Sequence, residues 1–194
     1  MLGGKPDASR HSSTGIDGGN SDKLQAPKLT LETVVSELRK RDFGVLSTVD
    51  PDGKPHSAGV NYGVFLTQGK LSLYVMTRRH LKKARNIAGN PHVAFVAPLT
   101  RRVLWFLPPA SISFQGTAEI LDWKDEESTK VFESFFMGRQ ILRKYEEANR
   151  RGETRICSLR ITPESEISTY MVGYPVWEMS KRMESGQATV VVGP

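Results

Sequence analysis

Residues 43–77 read FGVLSTVDPDGKPHSAGVNYGVFLTQGKLSLYVMT, and this stretch decides the fold. Its runs of β-branched and aromatic residues predict three strands, at Phe43–Val49, Pro55–Leu66 and Lys70–Met76. The separators DPDG and TQGK are turn sequences, because proline presets φ at the second turn position and glycine tolerates the left-handed region. We therefore expect an antiparallel meander here.

The segments on either side extend the meander into a mainly β (α+β) fold. A threonine N-cap and helical spacing predict a short amphipathic helix in LTLETVVSELRKR, and a second short helix is expected in RRHLKKARNIAGNP. Residues 124–150 have the pattern of a further helix. Strands are expected in HVAFVAP, RRVLWFLPPASISFQGTAEILD and TRICSLRITPESEISTYM. Six or so antiparallel strands with helices at the margins predict a barrel or closed sheet.

Composition divides the 194 residues into a tail, a domain and an extension. Residues 1–28 are dominated by small and polar residues and predict a flexible tail, residues 29–170 form the domain, and residues 171–194 are a C-terminal extension. The single cysteine, Cys157, has no partner for an intrachain disulfide, which favours a reducing compartment. With neither an apolar signal core nor a membrane-length apolar run, we expect a cytoplasmic protein with no membrane partner.

The formal charge of +6 is concentrated at one point of the chain. Five cations with no intervening acid lie where a strand ends and a helix begins: Arg78, Arg79, Lys82, Lys83 and Arg85. The start of a helix offers unpaired N–H groups, so this junction predicts a site for a phosphate, with Thr77 either capping the helix or donating its hydroxyl. The alternative is a solvated basic helix face. Without interleaved aromatic residues, nucleic-acid binding is not favoured, and the four histidines have no metal-site spacing.

Three runs carry a resemblance to a known family: GVLSTVDPDGKPHSAGVNY, YVMTRRHLKKARNIAGNPHVAF and SFQGTAEILD. They resemble the FMN-binding split-barrel family related to pyridoxamine 5′-phosphate oxidase. That family's phosphate motif is similar to T-x-x-x-S-R-K-x-x-N followed by N-P. Thr77, Lys82, Lys83 and Asn86 occupy the matching positions, whereas Leu81 stands where the family usually has a serine.

The resemblance implies a six-stranded antiparallel split barrel that forms a homodimer with two FMN sites at its interface. The implied activity is hydride transfer through the flavin, with a small-molecule substrate or a nicotinamide donor. The flavin ring would lie along the strands that contain Val60–Gly63 and Leu73–Thr77. Ser47 and Thr48 are further candidates for contact with the ring, and Ser111 would be supplied by the partner subunit. The cofactor-binding residues are expected to be Val60, Asn61, Tyr62, Val75, Met76, Thr77, Arg78, Lys82, Lys83 and Ser111.

Two further interpretations stay open at the level of sequence. One is a relative that uses a deazaflavin coenzyme, whose longer anionic tail suits the same cations. The other is a non-catalytic carrier or sensor of flavin or haem. Oxidation of pyridoxamine phosphate itself is less favoured, because residues 164–194 contain no histidine for that enzyme's paired Arg-and-His motif. No catalytic side chain is named from the sequence, and no metal site is predicted.

Overall fold

The computed structural model describes residues 29–99, 110–173 and 186–192. These residues form four helices and eight strands. Their bounds are α1 Leu31–Arg39, β1 Phe43–Val49, β2 Pro55–Asn61, β3 Gly63–Thr67, β4 Lys70–Arg78, α2 Lys82–Gly89, β5 His92–Leu99, β6 Ala110–Asp122, α3 Glu126–Glu133, α4 Phe136–Arg150, β7 Ile156–Tyr170 and β8 Gln187–Val191.

All eight strands belong to one antiparallel sheet. The order is β2-β1-β5-β6-β7-β4-β3, and β8 pairs with β7. Strand β7 is long enough to have two neighbours on one side, because its first half pairs with β4 and its second half with β8. The predicted mainly β (α+β) split-barrel fold is confirmed, with eight strands in the described residues instead of six.

Alternation along β4 separates two hydrophobic cores. Leu73 and Val75 project into the main core with the barrel strands and α1, whereas Tyr74 and Met76 project to the other face, against α3 and α4. This is the period of two that a strand buried on both faces requires. Thr77 continues the interior row, so it lies at the end of the barrel interior, where α2 follows.

The prediction of one strand over Pro55–Leu66 is wrong. The chain leaves β1 at Asn61 and pairs with β4 from Gly63 onward. Tyr62 makes the transition: its backbone N–H donates to the carbonyl of Asp42 at 3.0 Å and its buried hydroxyl donates to the carbonyl of Leu38 at 3.1 Å. These bonds anchor the residue outside both ladders, so one strand becomes two.

The single helix expected over residues 124–150 is also wrong, because the structure has α3 and α4 in its place. The Ser134 hydroxyl donates to the carbonyl of Val131 at 2.6 Å, and Phe135 is extended with φ −133°. A Cβ on Gly138 would lie 2.1 Å from the carbonyl oxygen of Phe132. The close approach of the two helices at this glycine breaks the continuous helix.

Several sequence predictions fall on residues outside the described ranges. They are the tail at 1–28, the segment 100–109 and most of the C-terminal extension. Residues 187–191 of that extension form β8 and add to the sheet. The Thr30 N-cap is confirmed, since its hydroxyl accepts from the Thr33 amide at 3.3 Å. Within the described ranges, no helix combines the length and apolarity needed to cross a membrane.

Candidate anion site at the start of helix α2

Helix α2 begins with its amide groups unsatisfied by side chains. Its N-cap is Leu81, which is extended with φ −74° and ψ 148° and makes no side-chain capping bond, and its first turn contains no acid. Of the two roles considered for Thr77, capping of this helix is therefore wrong, and donation of its hydroxyl to a ligand stays a prediction. The strand-like backbone continues past Arg78, because the Arg79 amide donates to the carbonyl of Arg155 at 2.7 Å and a turn then precedes the helix. An uncapped helix start without acids attracts an anion.

The hydroxyl of Thr77 is buried and lacks a partner. Thr77 pairs with Cys157 across β4 and β7, so both side chains lie on the interior face, and Thr77 is 1% exposed. Its Oγ1 is one of two buried side-chain polar atoms in the described residues without a hydrogen bond. An unsatisfied buried hydroxyl costs stability, and sites that hold ligands are where such costs are tolerated.

Two of the predicted cations, Lys82 and Arg78, are engaged by acidic residues of the chain. Lys82 reaches the β1–β2 turn, where its ammonium group lies 3.2 Å from a carboxylate oxygen of Asp50. Arg78 lies on the opposite face of β4, with its guanidinium group 3.5 Å from Glu153 and stacked 5.3 Å above the ring of Tyr145. Both charges are thus engaged with groups of the chain itself.

Three of the predicted cations are left for a ligand, Arg79, Lys83 and Arg85, and Lys83 is the least exposed of them. It is partly buried, and it has no ion-pair partner among the residues that the structure describes. Burial lowers the pKa of Lys83, an effect that the neighbouring Cys157 opposes. Burial likewise raises the pKa of the Cys157 thiol, against the influence of Arg79 and Lys83. These interactions place Thr77, Arg79, Lys83 and Cys157 around one point at the barrel end.

The remaining motif residue, Asn86, is structural in this arrangement. Its side-chain amide donates to the Thr48 hydroxyl at 3.0 Å, and both residues are buried. Thr48 in turn donates to the carbonyl of His56 at 3.3 Å. The contact ties α2 to β1 and holds the helix start over the barrel end. Thr48, a further candidate from the sequence, is thereby placed under α2 as well.

Four predicted cofactor residues have their side chains in the protein core. Val60, Tyr62 and Val75 belong to the main core, and Met76 belongs to the core under α3 and α4. Burial also raises the pKa of Tyr62, which keeps its phenol neutral. These residues therefore offer a ligand their backbone only. Asn61 is exposed at the far end of β2, where its amide donates to the carbonyl of Asp42 at 3.1 Å.

Ser111 lies far from the start of α2 within one chain. Thr77 is opposite Cys157, which is opposite Asp122 on β6, and Ser111 is eleven residues away along that strand. At ~3.3 Å per residue the separation along the strand is about 36 Å. One copy of the chain does not bring Ser111 and Thr77 to one ligand.

The outer face of β1, β5 and β6 is open and carries two grooves. They have volumes of about 420 and 430 Å³ and share Ala94, Gln115 and Glu164. Two large apolar side chains are exposed on this face, Phe43 at 50% and Val96 at 38%. Ser111 and Ser47 belong to the same outward row.

Sequence reasoning missed that Arg155 lies beside the basic run Arg78–Arg85. Arg155 follows the C-terminal end of α4, and its backbone is bonded to Arg79. The only signal in the sequence was the basic end of α4, which complements the helix dipole and gives no hint of its neighbour. No group of three or more metal-ligating side chains occurs in the described part of the chain.

An antiparallel split barrel with an uncapped, cation-flanked helix start is the class defined by this fold and geometry. A family model described as pyridoxamine 5′-phosphate oxidase matches residues 30–169. The chain belongs to this family, which confirms the resemblance seen in the sequence. None of the curated proteins matches the chain.

Solved structures share the fold at low sequence identity. A conserved hypothetical protein of Mycobacterium tuberculosis is 20% identical with a TM-score of 0.52, covering 70% of this chain and 81% of that one. HutZ, the haem storage protein of Vibrio cholerae, is 20% identical with a TM-score of 0.54, covering 72% and 94%. A haem-binding protein of Mycobacterium smegmatis is 14% identical with a TM-score of 0.57, covering 82% and 57%.

Proposed function

We propose that the protein is an FMN-dependent oxidoreductase that binds the flavin phosphate at the start of α2. The observation that carries the proposal is the coincidence of an orphaned buried hydroxyl, a desolvated lysine and an uncapped helix start. Thr77 Oγ1 lacks a partner in the described chain, Lys83 lacks an acid there, and the first turn of α2 has no acid and no capping side chain. Each of these deficits is relieved by one bound phosphate.

The donor set fits the phosphate of FMN, with Thr77, Lys83 and the first amides of α2 as its ligands. When bound, FMN supplies two-electron chemistry by accepting a hydride from a reduced donor and passing it to an acceptor. The chain's own part is to bind and orient. Lys82 is held by Asp50 and Asn86 by Thr48, so α2 is tied to the β1–β2 turn and to β1 by one contact each.

The proposed unit is a homodimer with the open face of β1, β5 and β6 at its interface. Phe43 and Val96 leave apolar surface exposed there, which a second copy would bury. Ser111 lies at one end of β6, whereas Thr77 on β4 is level with the other end, so Ser111 would reach a flavin held at α2 only from the partner subunit. A symmetric pair gives two equivalent sites.

The identity of the bound small molecule is the direct test. Protein purified without added cofactor is expected to be yellow, to release a molecule with the mass of FMN, and to bind FMN far more tightly than riboflavin. Equal affinity for FMN and riboflavin would place the phosphate elsewhere. A blue-fluorescent coenzyme would identify the deazaflavin alternative instead.

Turnover separates an enzyme from a carrier. With FMN bound, anaerobic mixing with NADH or NADPH is expected to bleach the flavin absorbance. A protein that retains a Soret band and binds no flavin would support the alternative of a haem carrier. Haem is the ligand named for HutZ and for the neighbour from Mycobacterium smegmatis. Sedimentation at micromolar concentration tests the dimer, and a monomer that still binds FMN fully would contradict the role of Ser111.

A further inference from the structure

The two interruptions that the sequence does not predict meet at one cavity. The break between β2 and β3 is at Tyr62, and the break between α3 and α4 is at Ser134 and Phe135. All three residues line a cavity of about 220 Å³. The rest of its lining comes from Gly63 and Val64 and, at the end of α1, from Arg39 and Arg41. Three segments that are distant in the chain therefore share this cavity.

Phe135 gives the cavity an aromatic wall, and Gly63 leaves room for it. A Cβ on Gly63 would lie 3.1 Å from Cε1 of Phe135, and the Phe135 ring packs against Phe132 with 6.0 Å between the ring centroids. These contacts fix the ring in place. A fixed aromatic ring favours a planar ligand, because ring pairs gain from offset-stacked or edge-on contact. The volume lies below the range of about 300–1,000 Å³ that suits drug-sized ligands, so a ligand with a single ring is expected.

The polar part of the cavity is cationic. Arg41 donates through Nη1 to the carbonyl oxygen of Glu37 at 3.0 Å and to its carboxylate at 2.9 Å, while its Nε and Nη2 make no hydrogen bond within the described residues. Arg39 is exposed and has no ion-pair partner there. The carbonyl of Leu38 already accepts from the Tyr62 hydroxyl. Arg39 and the outer edge of Arg41 are therefore available to a ligand.

The segments that form the cavity carry one net positive charge. Residues 37–42 and 133–139 contain four cations and three acids, which are Arg39, Lys40, Arg41 and Arg139 against Glu37, Asp42 and Glu133. None of these acids lines the cavity. The preceding acid on α3, Glu127, is engaged by the Tyr74 hydroxyl and by Arg160. Helix α4 also starts here, with no capping side chain and no acid in its first turn. A single excess charge suits a carboxylate better than a doubly charged phosphate.

The cavity is close to the strand along which the flavin ring is expected to lie. Gly63 pairs with Tyr74 on β4, three residues before Thr77. Three residues of a strand span ~10 Å, which separates the cavity from the proposed phosphate site along β4. In FMN the ribityl chain separates the phosphate from the ring. A flavin that runs back along β4 from α2 therefore brings its ring to the level of the cavity.

We propose that the cavity binds the carboxylate of a small planar acid through Arg39 and Arg41, and that such an acid is the substrate of the flavin enzyme. Arginine suits this group because its planar fork donates two parallel hydrogen bonds to a carboxylate. Phe135 contacts the planar body of the acid. That the acid is a substrate rests on the proposed function, whereas the acid site itself does not depend on it.

The binding test uses the FMN-loaded protein and three redox-inactive probes. Benzoate carries a single negative charge, benzamide is its neutral counterpart, and phenyl phosphate is a dianion. Calorimetry at physiological salt is expected to show roughly tenfold tighter binding of benzoate than of benzamide, since charge-assisted bonds are formed only by benzoate. Arg39→Gln is expected to weaken benzoate binding about fivefold, the effect of one ionic contact at an exposed site, and to leave benzamide binding unchanged.

Lys40→Gln is the matched control. It removes the same charge one residue further along, but Lys40 is paired with Glu37 at 2.6 Å and does not line the cavity. Benzoate affinity should therefore change little in this variant. An equal loss in both variants would mean diffuse attraction and would overturn the site. Equal binding of benzoate and benzamide to the unmodified protein, or tighter binding of phenyl phosphate than of benzoate, would overturn it as well.

The flavin spectrum links the cavity to the cofactor. Benzoate is expected to shift the absorbance bands of bound FMN, at a lower benzoate concentration in the unmodified protein than in Arg39→Gln. If benzoate binds through Arg39 in a protein that holds no flavin, the proposed function fails and the acid site stands. If NADH or NADPH bleaches bound FMN but benzoate neither binds nor shifts the spectrum, the proposed function stands and the inference fails.

Discussion

Two eight-residue helices follow strands in this protein, and their N-termini differ in every respect. At α3, the Asp125 carboxylate accepts from the Ser128 amide at 2.9 Å, and Glu126 and Glu127 lie in the first turn. At α2, no side chain caps the helix and lysines replace the acids. The start of α3 is satisfied by its own residues, whereas that of α2 has no side-chain acceptor. We propose that the first is a purely structural helix start and that the second binds an anion.

The largest effect is expected from Lys83, the partly buried cation at α2 that has no ion-pair partner in the described residues. Lys83→Ala should weaken FMN binding by about 10- to 100-fold, since a hydrogen bond to a charged group is worth ~1.5–3 kcal/mol. Lys82→Ala is the control, because that ammonium group is engaged by Asp50. Riboflavin affinity should change in neither variant. A greater loss for Lys82→Ala, measured by flavin fluorescence quenching, would reverse the assignment.

Two buried hydroxyls sharpen the comparison through stability. Ser128 at α3 bonds to Ser158 at 2.6 Å, so Ser128→Ala orphans a partner and should destabilise the protein by ~1–3 kcal/mol. Thr77 has no partner in the described chain, so Thr77→Val should leave the ligand-free protein equally or more stable while weakening FMN binding. Urea unfolding of both flavin-free variants measures the two expected changes in the free energy of unfolding. Destabilisation by Thr77→Val would mean that its hydroxyl is satisfied.

Substitutions at the two N-cap positions should change the stability of the protein in opposite directions: loss of the cap at α3 lowers it, and a new cap at α2 raises it. Asp125→Ala is expected to cost about 1 kcal/mol, and Leu81→Ser is expected to be more stable than Leu81→Ala by a similar amount, because only serine supplies a capping oxygen. Leu81→Ala removes the same apolar atoms without adding the hydroxyl. Thermal unfolding without flavin gives the ranking. Identical midpoints for the two Leu81 variants would show that the start of α2 has no unmet need for an acceptor.

The smallest effect concerns the ion pairs beside α2. Hydrogen bonds from Arg155 lower the pKa of Glu153 from 4.5 to about 2. A carboxyl whose pKa is depressed on folding stabilises the protein above its unfolded pKa and loses that contribution as pH falls towards the folded value. The melting temperature should therefore fall between pH 5 and 2, and less steeply in Glu153→Gln. Parallel pH profiles would show that the pair contributes nothing to folding.

The sequence predicts the strands well where alternation and turn signals agree, as at β1 and β4. It fails at Tyr62, because the break between β2 and β3 depends on acceptors contributed by Leu38 and Asp42. The split between α3 and α4 is equally invisible locally. It comes from the close approach of Gly138 to the Phe132 carbonyl, a packing contact between helices.

The candidate site divides in the same way. The spacing from Thr77 to Lys83 and the absence of acids are properties of the sequence, and they predict an anion at a helix start. Which cation remains for that anion is decided by long-range partners, Asp50 for Lys82 and Glu153 for Arg78. The net charge of the sequence does not show which of these lysines and arginines are paired with acids and which are not.

By itself, then, the sequence determined the antiparallel architecture and the family, and it pointed to the candidate anion site, because alternation, turns and charge runs are local properties of a chain. The tertiary structure alone decided that Thr77 is buried without a partner in the described residues, that Lys83 is partly desolvated, and that Arg155 lies beside the β4–α2 junction. Burial and the distances between charges depend on which distant segments pack together, and the local sequence pattern does not predict those contacts.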